Sequence, residues 1–267
     1  MESNLKICLI PMDIKWEDKE ANLKKVAELV NRVHPATDLI VLPEMFSTGF
    51  ITGGDKEEIR KFAEKNSGET IDFIKTLAAE KNMAIAGSYI AETGGLLFNR
   101  AFFIEPGGDE TFAEKRHLFT MAGEDKIFSR GDDRLHVRFR GWSISMIVCY
   151  DIRFPVWCRN VGNEYDLMLA VANWPTTRVD AWNHLLKARA IENEAYVCGV
   201  NCKGTDTNGF EYDGSSAVFD FKGKDIATAD PDGKLLYATL SYEKLERFRE
   251  KFPAWKDADS FRLNEDL

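Results

Sequence analysis

The sequence predicts an α/β fold that forms a single domain over residues 1–267. Amphipathic helical stretches alternate along the chain with short apolar runs, and such runs are typical of strands that are covered on both faces. Hydrophobic residues make up 44% of the chain and charged residues 30%, which are ordinary values for a globular protein. The length of 267 residues lies within the range in which an α/β fold forms one domain.

The first half of the chain alternates predicted strands and helices. Strands are predicted, in chain order, at residues 5–10, 38–42, 83–89, 96–105 and 111–119. Helices are predicted at residues 20–33 and 69–81, because apolar residues recur there at helical spacing. Glu44 directly follows a buried strand and precedes Met45 and Phe46, so we expect its carboxylate in an apolar cup, where burial raises a carboxyl pKa and favours base chemistry. A solvated loop acid is an equally good interpretation of Glu44 from the local sequence.

The segment 111–119 places a lysine among apolar residues. As a strand, it would put Lys115 and His117 on one face and Arg116 on the other. Lysine is rarely buried unless it is paired, so Lys115 is a candidate functional residue. The alternative is a lysine whose head group reaches solvent from the edge of a strand. Glu124 is predicted to follow in a loop.

The second half contains a predicted strand at residues 142–148 that ends at Cys149. Pro155 follows shortly and favours a sharp corner into a helix, which would expose the side chain at its apex together with backbone N–H groups. Taken alone, a cysteine at the end of a strand is more often a small buried hydrophobic residue than a nucleophile. A helix is predicted at residues 181–193, with Ile191 on its inner side, and strands at 166–172, 196–202, 215–221 and 235–240. The tail at 242–267 begins as a helix and carries apolar residues beyond Phe252, so it is either an arm on a partner subunit or a tail wrapped on its own domain.

Composition excludes several classes of function. The difference between 35 basic and 44 acidic residues gives a net charge of −9, and no basic stripe suggests a nucleic-acid partner. No apolar run approaches the ~18 residues that span a membrane, and the N-terminus has no signal-peptide pattern, so we expect a cytoplasmic protein. Five cysteines without close pairs fit a reducing compartment, and neither they nor the histidines have metal-ligand spacing.

Several motifs together resemble the nitrilase superfamily of carbon–nitrogen hydrolases, whose catalytic Glu, Lys and Cys occur in this chain order. They are residues 42–46 (LPEMF), 114–119 (EKRHLF), 148–155 (VCYDIRFP), 172–175 (ANWP) and 188–193 (ARAIEN). The chain is most similar to the omega-amidase branch, some bacterial members of which share the tail motif at 251–255 (KFPAW). The resemblance implies a four-layer α-β-β-α sandwich, a homodimer or higher homo-oligomer, and no metal or organic cofactor.

The resemblance also implies roles for individual residues. Glu44 would take the thiol proton, Cys149 would attack the carbonyl of a terminal amide, and Lys115 with the Tyr150 backbone N–H would stabilise the oxyanion. A thioester intermediate would then be hydrolysed by water. Glu124 matches a second glutamate of the family and would orient Lys115 or the attacking water; otherwise it is a loop acid.

Omega-amidases act on alpha-ketoglutaramate and alpha-ketosuccinamate, which are short dicarboxylic monoamides. A protein of net charge −9 needs local cations to bind such an anion, and Arg153 and Arg178 are the candidates, with Phe119, Tyr150 and Trp174 as apolar walls. Arg153 could instead pair with Asp151, and Arg178 could be a solvated loop residue. The alternative functions are another amidase or an N-carbamoyl hydrolase of the same superfamily, and a non-catalytic binding protein on the same fold.

Overall fold

The structure is a computed structural model that describes residues 4–52 and 54–263. Its helices are α1 (Lys19–Val30), α2 (Lys56–Arg60), α3 (Glu69–Lys81), α4 (Glu124–Ile127), α5 (Val179–Glu192) and α6 (Tyr242–Lys251). Its strands are β1 (Asn4–Leu9), β2 (Leu39–Val41), β3 (Ala84–Thr93), β4 (Leu96–Ile104), β5 (Glu110–Glu114), β6 (Leu135–Phe139), β7 (Trp142–Val148), β8 (Leu167–Ala172), β9 (Tyr196–Asn201), β10 (Lys203–Thr205), β11 (Glu211–Asp213), β12 (Ala217–Phe219), β13 (Thr228–Ala229) and β14 (Leu236–Ser241).

Two mixed sheets form the centre of the protein. One has seven strands in the order β13-β14-β1-β2-β3-β4-β5, and the other has five in the order β12-β9-β8-β7-β6. In each sheet three consecutive strands are parallel, β1 to β3 in the first and β7 to β9 in the second. The carboxyl ends of parallel strands lie at one edge of a sheet, and this edge is a common place for active sites.

The alternation of side chains along the strands defines four layers. In β1, Leu5 and Ile7 pack between the two sheets, whereas Cys8 packs on the opposite face against residues of α1 and α3. In β8, Leu167 again faces the other sheet, whereas Met168 packs against residues of α5. The layer order is therefore helix, sheet, sheet, helix, and the predicted α/β fold with an α-β-β-α sandwich is confirmed. Each fully buried aliphatic side chain in these interfaces contributes roughly 1.5–3 kcal/mol to folding.

Some sequence-based predictions of local structure are wrong. The strand predicted at 111–119 ends at Glu114, because the Asp151 carboxylate accepts the His117 N–H at 2.8 Å and draws the chain away from β4. Glu124 begins a short helix, not a loop. Ile191 is 49% exposed and faces away from the core side of α5. The short strands β6, β10, β11 and β13 have no predicted counterpart.

The C-terminal segment contacts the rest of the chain through α6 and again at Trp255. In α6, Leu245 is buried, the Phe248 ring stacks on Phe221 at 4.8 Å, and Arg249 donates to Asp166 at 2.7 Å. Beyond the helix, Trp255 is partly buried and lines a cavity with residues 159–162, whereas Phe252 is 59% exposed and Phe261 and Leu263 are also exposed. The predicted arm at 242–267 therefore begins on its own domain, and its residues 264–267 lie outside the described part of the chain. Among the described residues, no helix is long and apolar enough to cross a membrane.

Candidate active site

Glu44, Lys115 and Cys149 come from the ends of three strands. Glu44 lies three residues after β2, Lys115 directly follows β5, and Cys149 directly follows β7. Since β7 belongs to one sheet and the other two strands to its partner sheet, the sandwich itself brings the three residues together. The alternatives of a solvated Glu44 and a solvent-reaching Lys115 are excluded, because these residues are 0% and 1% exposed.

The charged groups form a compact buried cluster. Lys115 Nζ lies 3.0 Å from Glu44 Oε1 and 3.0 and 2.9 Å from the two oxygens of Glu124. Glu124 is also 0% exposed and accepts a hydrogen bond from the backbone N–H of Phe119. Two carboxylates therefore share one ammonium, and the cluster carries one net negative charge when all three groups are ionised.

Burial and the neighbouring charges both shift the pKa values of the groups in the site. Burial acts to lower the pKa of Lys115, but the charges of Glu124 and Glu44 outweigh it and raise that pKa, so the lysine stays a cation. Burial raises the pKa of Glu124, and Lys115 opposes this rise. The pKa of the Cys149 thiol is raised by burial first and then by the charge of Glu44, while Lys115 acts to lower it. With its pKa raised in this way, the resting cysteine holds its proton, and Glu44 is close enough to act on it.

Cys149 occupies a sharp corner between β7 and a 3-10 helix at Cys149–Arg153. Its φ angle is 46°, a left-handed conformation that costs energy for a residue with a side chain and is common at functional sites. The Asp151 carboxylate stabilises the corner by accepting the Val148 N–H at 3.1 Å and His117 Nδ1 at 2.8 Å. The predicted corner is thus present, but its helix is a 3-10 helix that ends at Arg153, so Pro155 does not begin it.

A cavity of about 450 Å³ opens onto Cys149, and this size is typical of a site for a small molecule. Glu44 and Glu124 lie behind its wall. The predicted site residues that line it are Lys115, Phe119, Cys149, Tyr150, Arg153, Trp174 and Arg178. Every residue that was predicted to bind the substrate therefore lines the same cavity as the thiol.

The two arginines of the cavity stack on aromatic rings. The Arg153 guanidinium lies 4.8 Å from the Trp174 ring centroid, and that of Arg178 lies 5.5 Å from the centroid of Phe119. Neither forms an ion pair with any residue in the described ranges. The suggested pairing of Arg153 with Asp151 is wrong, because Asp151 binds His117 and the Val148 N–H instead. Both guanidinium groups are thus available to an anion in the cavity.

Two buried asparagines at the site were not among the predicted residues. Asn99 Nδ2 donates to Glu44 Oε1 at 2.7 Å, and Asn173 donates its backbone N–H to Glu44 Oε2 at 2.9 Å and its Nδ2 to the Glu44 carbonyl at 2.7 Å. Asn99 interrupts an apolar strand in the sequence. Because a buried amide needs hydrogen-bond partners, an asparagine at this position indicates a buried polar contact and could have been used to find the residue.

The comparisons with known proteins agree with this geometry. The family model described as carbon-nitrogen hydrolase matches residues 6–250. The chain belongs to the carbon-nitrogen hydrolase family. The resemblance to the nitrilase superfamily is confirmed, and so is the prediction of a carbon–nitrogen hydrolase.

Relatives of this hydrolase share almost its whole length. The omega-amidase YafV of Escherichia coli K12 is 44% identical over 260 residues, which cover 97% of this chain and 98% of the relative. The 2-oxoglutaramate amidase of Bacillus subtilis is 28% identical over 255 residues, covering 94% of this chain and 96% of the relative. A crystal structure of a CN-hydrolase superfamily protein from Xanthomonas campestris, with an arsenic adduct in its active site, has a TM-score of 0.92 at 39% identity and covers 98% of this chain and 99% of that one.

Proposed function

We propose that this hydrolase is an omega-amidase, which releases ammonia from the terminal amide of alpha-ketoglutaramate, alpha-ketosuccinamate and similar short monoamides of dicarboxylic acids. The observation that carries the proposal is the cavity, which combines a thiol backed by a buried Glu-Lys-Glu cluster with two guanidinium groups free of ion pairs among the described residues. The names of its relatives, omega-amidase and 2-oxoglutaramate amidase, support the same substrate class.

In the first half of the reaction, Cys149 forms a thioester. Glu44 removes the thiol proton as the sulfur attacks the amide carbonyl, because this carboxylate lies close enough to the thiol to influence its pKa. The carbonyl π electrons move to oxygen and form a tetrahedral oxyanion. Glu44 then returns the proton to the amide nitrogen, the oxyanion re-forms the carbonyl as the carbon–nitrogen bond breaks, and ammonia leaves.

The charge of the oxyanion is stabilised by Lys115 and the Tyr150 backbone N–H. Lys115 is held in place by three contacts with carboxylate oxygens, so its ammonium need not reorganise when the negative charge develops. Glu124 contributes two of these contacts and thereby orients Lys115. Tyr150 follows Cys149 in the corner, a position from which its backbone N–H would donate to the oxyanion.

In the second half, water hydrolyses the thioester. Glu44 accepts a proton from the water as it attacks the thioester carbonyl, and the carbon–sulfur bond breaks. The sulfur regains the proton from Glu44, and the dicarboxylic acid, in which the amide has become a second carboxyl group, leaves as product. The cycle needs neither a metal nor an organic cofactor.

The free carboxylate of the substrate binds to Arg153 and Arg178 in this proposal. A charge-assisted hydrogen bond contributes about 1.5–3 kcal/mol, so two arginines provide enough local attraction to overcome the net negative charge of the protein. The ring of Trp174 packs against the Arg153 guanidinium, and the ring of Phe119 packs against that of Arg178. Together with Tyr150, these two rings form the apolar walls along the carbon chain of the substrate.

Ammonia release across a panel of compounds tests the proposal. The panel contains alpha-ketoglutaramate, alpha-ketosuccinamate, a neutral amide of similar length, a nitrile and an N-carbamoyl amino acid. We expect the highest kcat/KM for the two keto acids. Preference for the neutral amide would contradict the role of the arginines, and preference for the carbamoyl compound would indicate an N-carbamoyl hydrolase.

We also propose that the chain forms a cytoplasmic homodimer through its C-terminal arm. Phe252 is 59% exposed, Phe261 41% and Leu263 44%, which is unusual for three apolar residues within one short segment. Burial of these side chains on a second copy would remove them from water.

A further inference from the structure

Asn99 is a fully buried residue of β4 whose side chain reaches both glutamates of the cluster. Its Nδ2 lies 2.7 Å from Glu44 Oε1 and 3.4 Å from Glu124 Oε1. The shorter distance is that of a strong hydrogen bond, and the longer one is at the limit of a hydrogen bond. Asn99 therefore donates mainly to Glu44.

The orientation of the Asn99 amide is determined by Ser88. The Ser88 hydroxyl accepts the Met45 N–H at 2.9 Å and donates to Asn99 Oδ1 at 2.9 Å. Since the Met45 N–H can only donate, the hydroxyl proton is free to point at Oδ1, and Nδ2 must face the carboxylates. Met45 itself has a φ of 44°, so the same chain of hydrogen bonds supports the strained residue next to Glu44.

The donors around Glu44 occupy its two oxygens unequally. A carboxylate oxygen has two lone pairs, and those of Oε1 are used by Asn99 at 2.7 Å and Lys115 at 3.0 Å. Oε2 accepts only the Asn173 N–H, at 2.9 Å, from the residues that the structure describes. One lone pair of Oε2 is therefore left for a proton that moves to or from the thiol, the ammonia or the water.

We propose that Asn99 is a positioning residue that occupies Oε1 of Glu44 and so directs all proton transfers to Oε2. The inference rests on the proposed function, because it assigns Glu44 the role of base. Asn99 is not among the residues that line the cavity, so it acts through Glu44 and does not touch the substrate. The loss of its amide should lower kcat and leave KM nearly unchanged.

Two variants test the proposal. Asn99→Leu removes the donor at similar volume, and we expect kcat to fall about 10- to 100-fold, less than the ~10²–10⁴-fold contribution of a general base itself. Asn99→Asp keeps the shape but adds a carboxylate beside Glu44 and Glu124, so the acid limb of the pH profile should move to higher pH. Both variants should also slow the alkylation of Cys149 by iodoacetamide at neutral pH, because Glu44 would take the thiol proton less readily.

Asn160→Leu provides the matched control. Asn160 is also buried and donates to two backbone carbonyls, at 2.9 and 3.0 Å, but it does not contact the cluster. The Asn160→Leu variant should be less stable than the wild-type protein but keep its pH profile and its rate of Cys149 alkylation. Wild-type kcat and pH profile in both Asn99 variants, or equal changes in Asn160→Leu, would overturn the proposal. Since alkylation needs no substrate, it tests Asn99 even if the unaltered protein hydrolyses no omega-amide.

Discussion

The substitution Lys115→Met should separate the structural role of the charged cluster from its chemical role. Lys115 is the shared partner of Glu44 and Glu124, and all three side chains are 0% exposed. Without the ammonium, two carboxylates would face each other in the protein interior. Removing one partner of a buried ion pair costs about 3–5 kcal/mol, because the remaining charge has lost its compensation. For a protein of this size each kcal/mol lowers Tm by roughly 2–4 °C, so the expected loss is about 6–20 °C.

The loss of stability in Lys115→Met should depend on pH and be larger at higher pH. Burial already raises the pKa of Glu124, and Lys115 opposes that rise, so its removal raises the folded-state pKa further above the unfolded value of about 4.3. A carboxyl group with a raised folded-state pKa favours folding below the unfolded pKa, and this contribution is lost as pH rises through the folded pKa. The variant should therefore be closest to wild type near about pH 4–5 and most destabilised at neutral pH and above.

Urea unfolding of Lys115→Met at several pH values measures this effect. The double variant Lys115→Met with Glu124→Gln serves as the control, because it removes the repulsion between the carboxylates. We expect it to regain most of the lost stability at neutral pH but no activity, since the oxyanion still lacks its cation. A stability loss in Lys115→Met that is the same at all pH values would refute the electrostatic reasoning.

Three further predictions concern the thiol, the arginines and the arm. Iodoacetamide should modify Cys149 much faster than the other four cysteines, because Cys149 lines the cavity in front of Glu44 whereas the other four are buried; uniform labelling of all five thiols in native protein would contradict the site. Arg153→Met and Arg178→Met should each raise KM for alpha-ketoglutaramate about 10- to 100-fold and leave KM for a neutral amide almost unchanged; equal effects on both substrates would exclude a carboxylate clamp. A chain ending at Lys251 should be a monomer by light scattering, and persistence of a dimer would place the interface elsewhere.

The apolar patterns predicted the alternation of helices and buried strands, whereas the four-layer order was implied only by the family resemblance. Continuous apolar runs such as 38–42 and 166–172 occur because both faces of these strands are buried, one by the other sheet and one by helices. The short strands β10, β11 and β13 could not be predicted, since they have two or three residues and mostly exposed side chains. Their positions depend on pairing partners that are distant in the chain or on turns that are locally ambiguous.

The motifs identified residues that the structure brings together, whereas the contacts that position these residues are visible only in three dimensions. Glu44, Lys115 and Cys149 lie in recognisable motifs, but nothing in the local sequence shows that Glu124 holds Lys115 from a distance of nine residues. The strand prediction beyond Glu114 is wrong because the carboxylate of Asp151, which belongs to another segment, accepts the backbone N–H of His117. Such competition between a side chain and a strand ladder cannot be seen in the alternation of apolar residues.

Mass spectrometry of acid-quenched turnover can detect directly whether Cys149 forms a thioester with the acyl part of an omega-amide. Wild-type protein and Cys149→Ala are mixed with alpha-ketoglutaramate, quenched within the first turnovers and digested. We expect the wild-type peptide containing Cys149 to gain the mass of the substrate less ammonia, while Cys149→Ala folds normally, gains no mass and releases no ammonia. Ammonia release by Cys149→Ala at the wild-type rate would exclude Cys149 as the nucleophile.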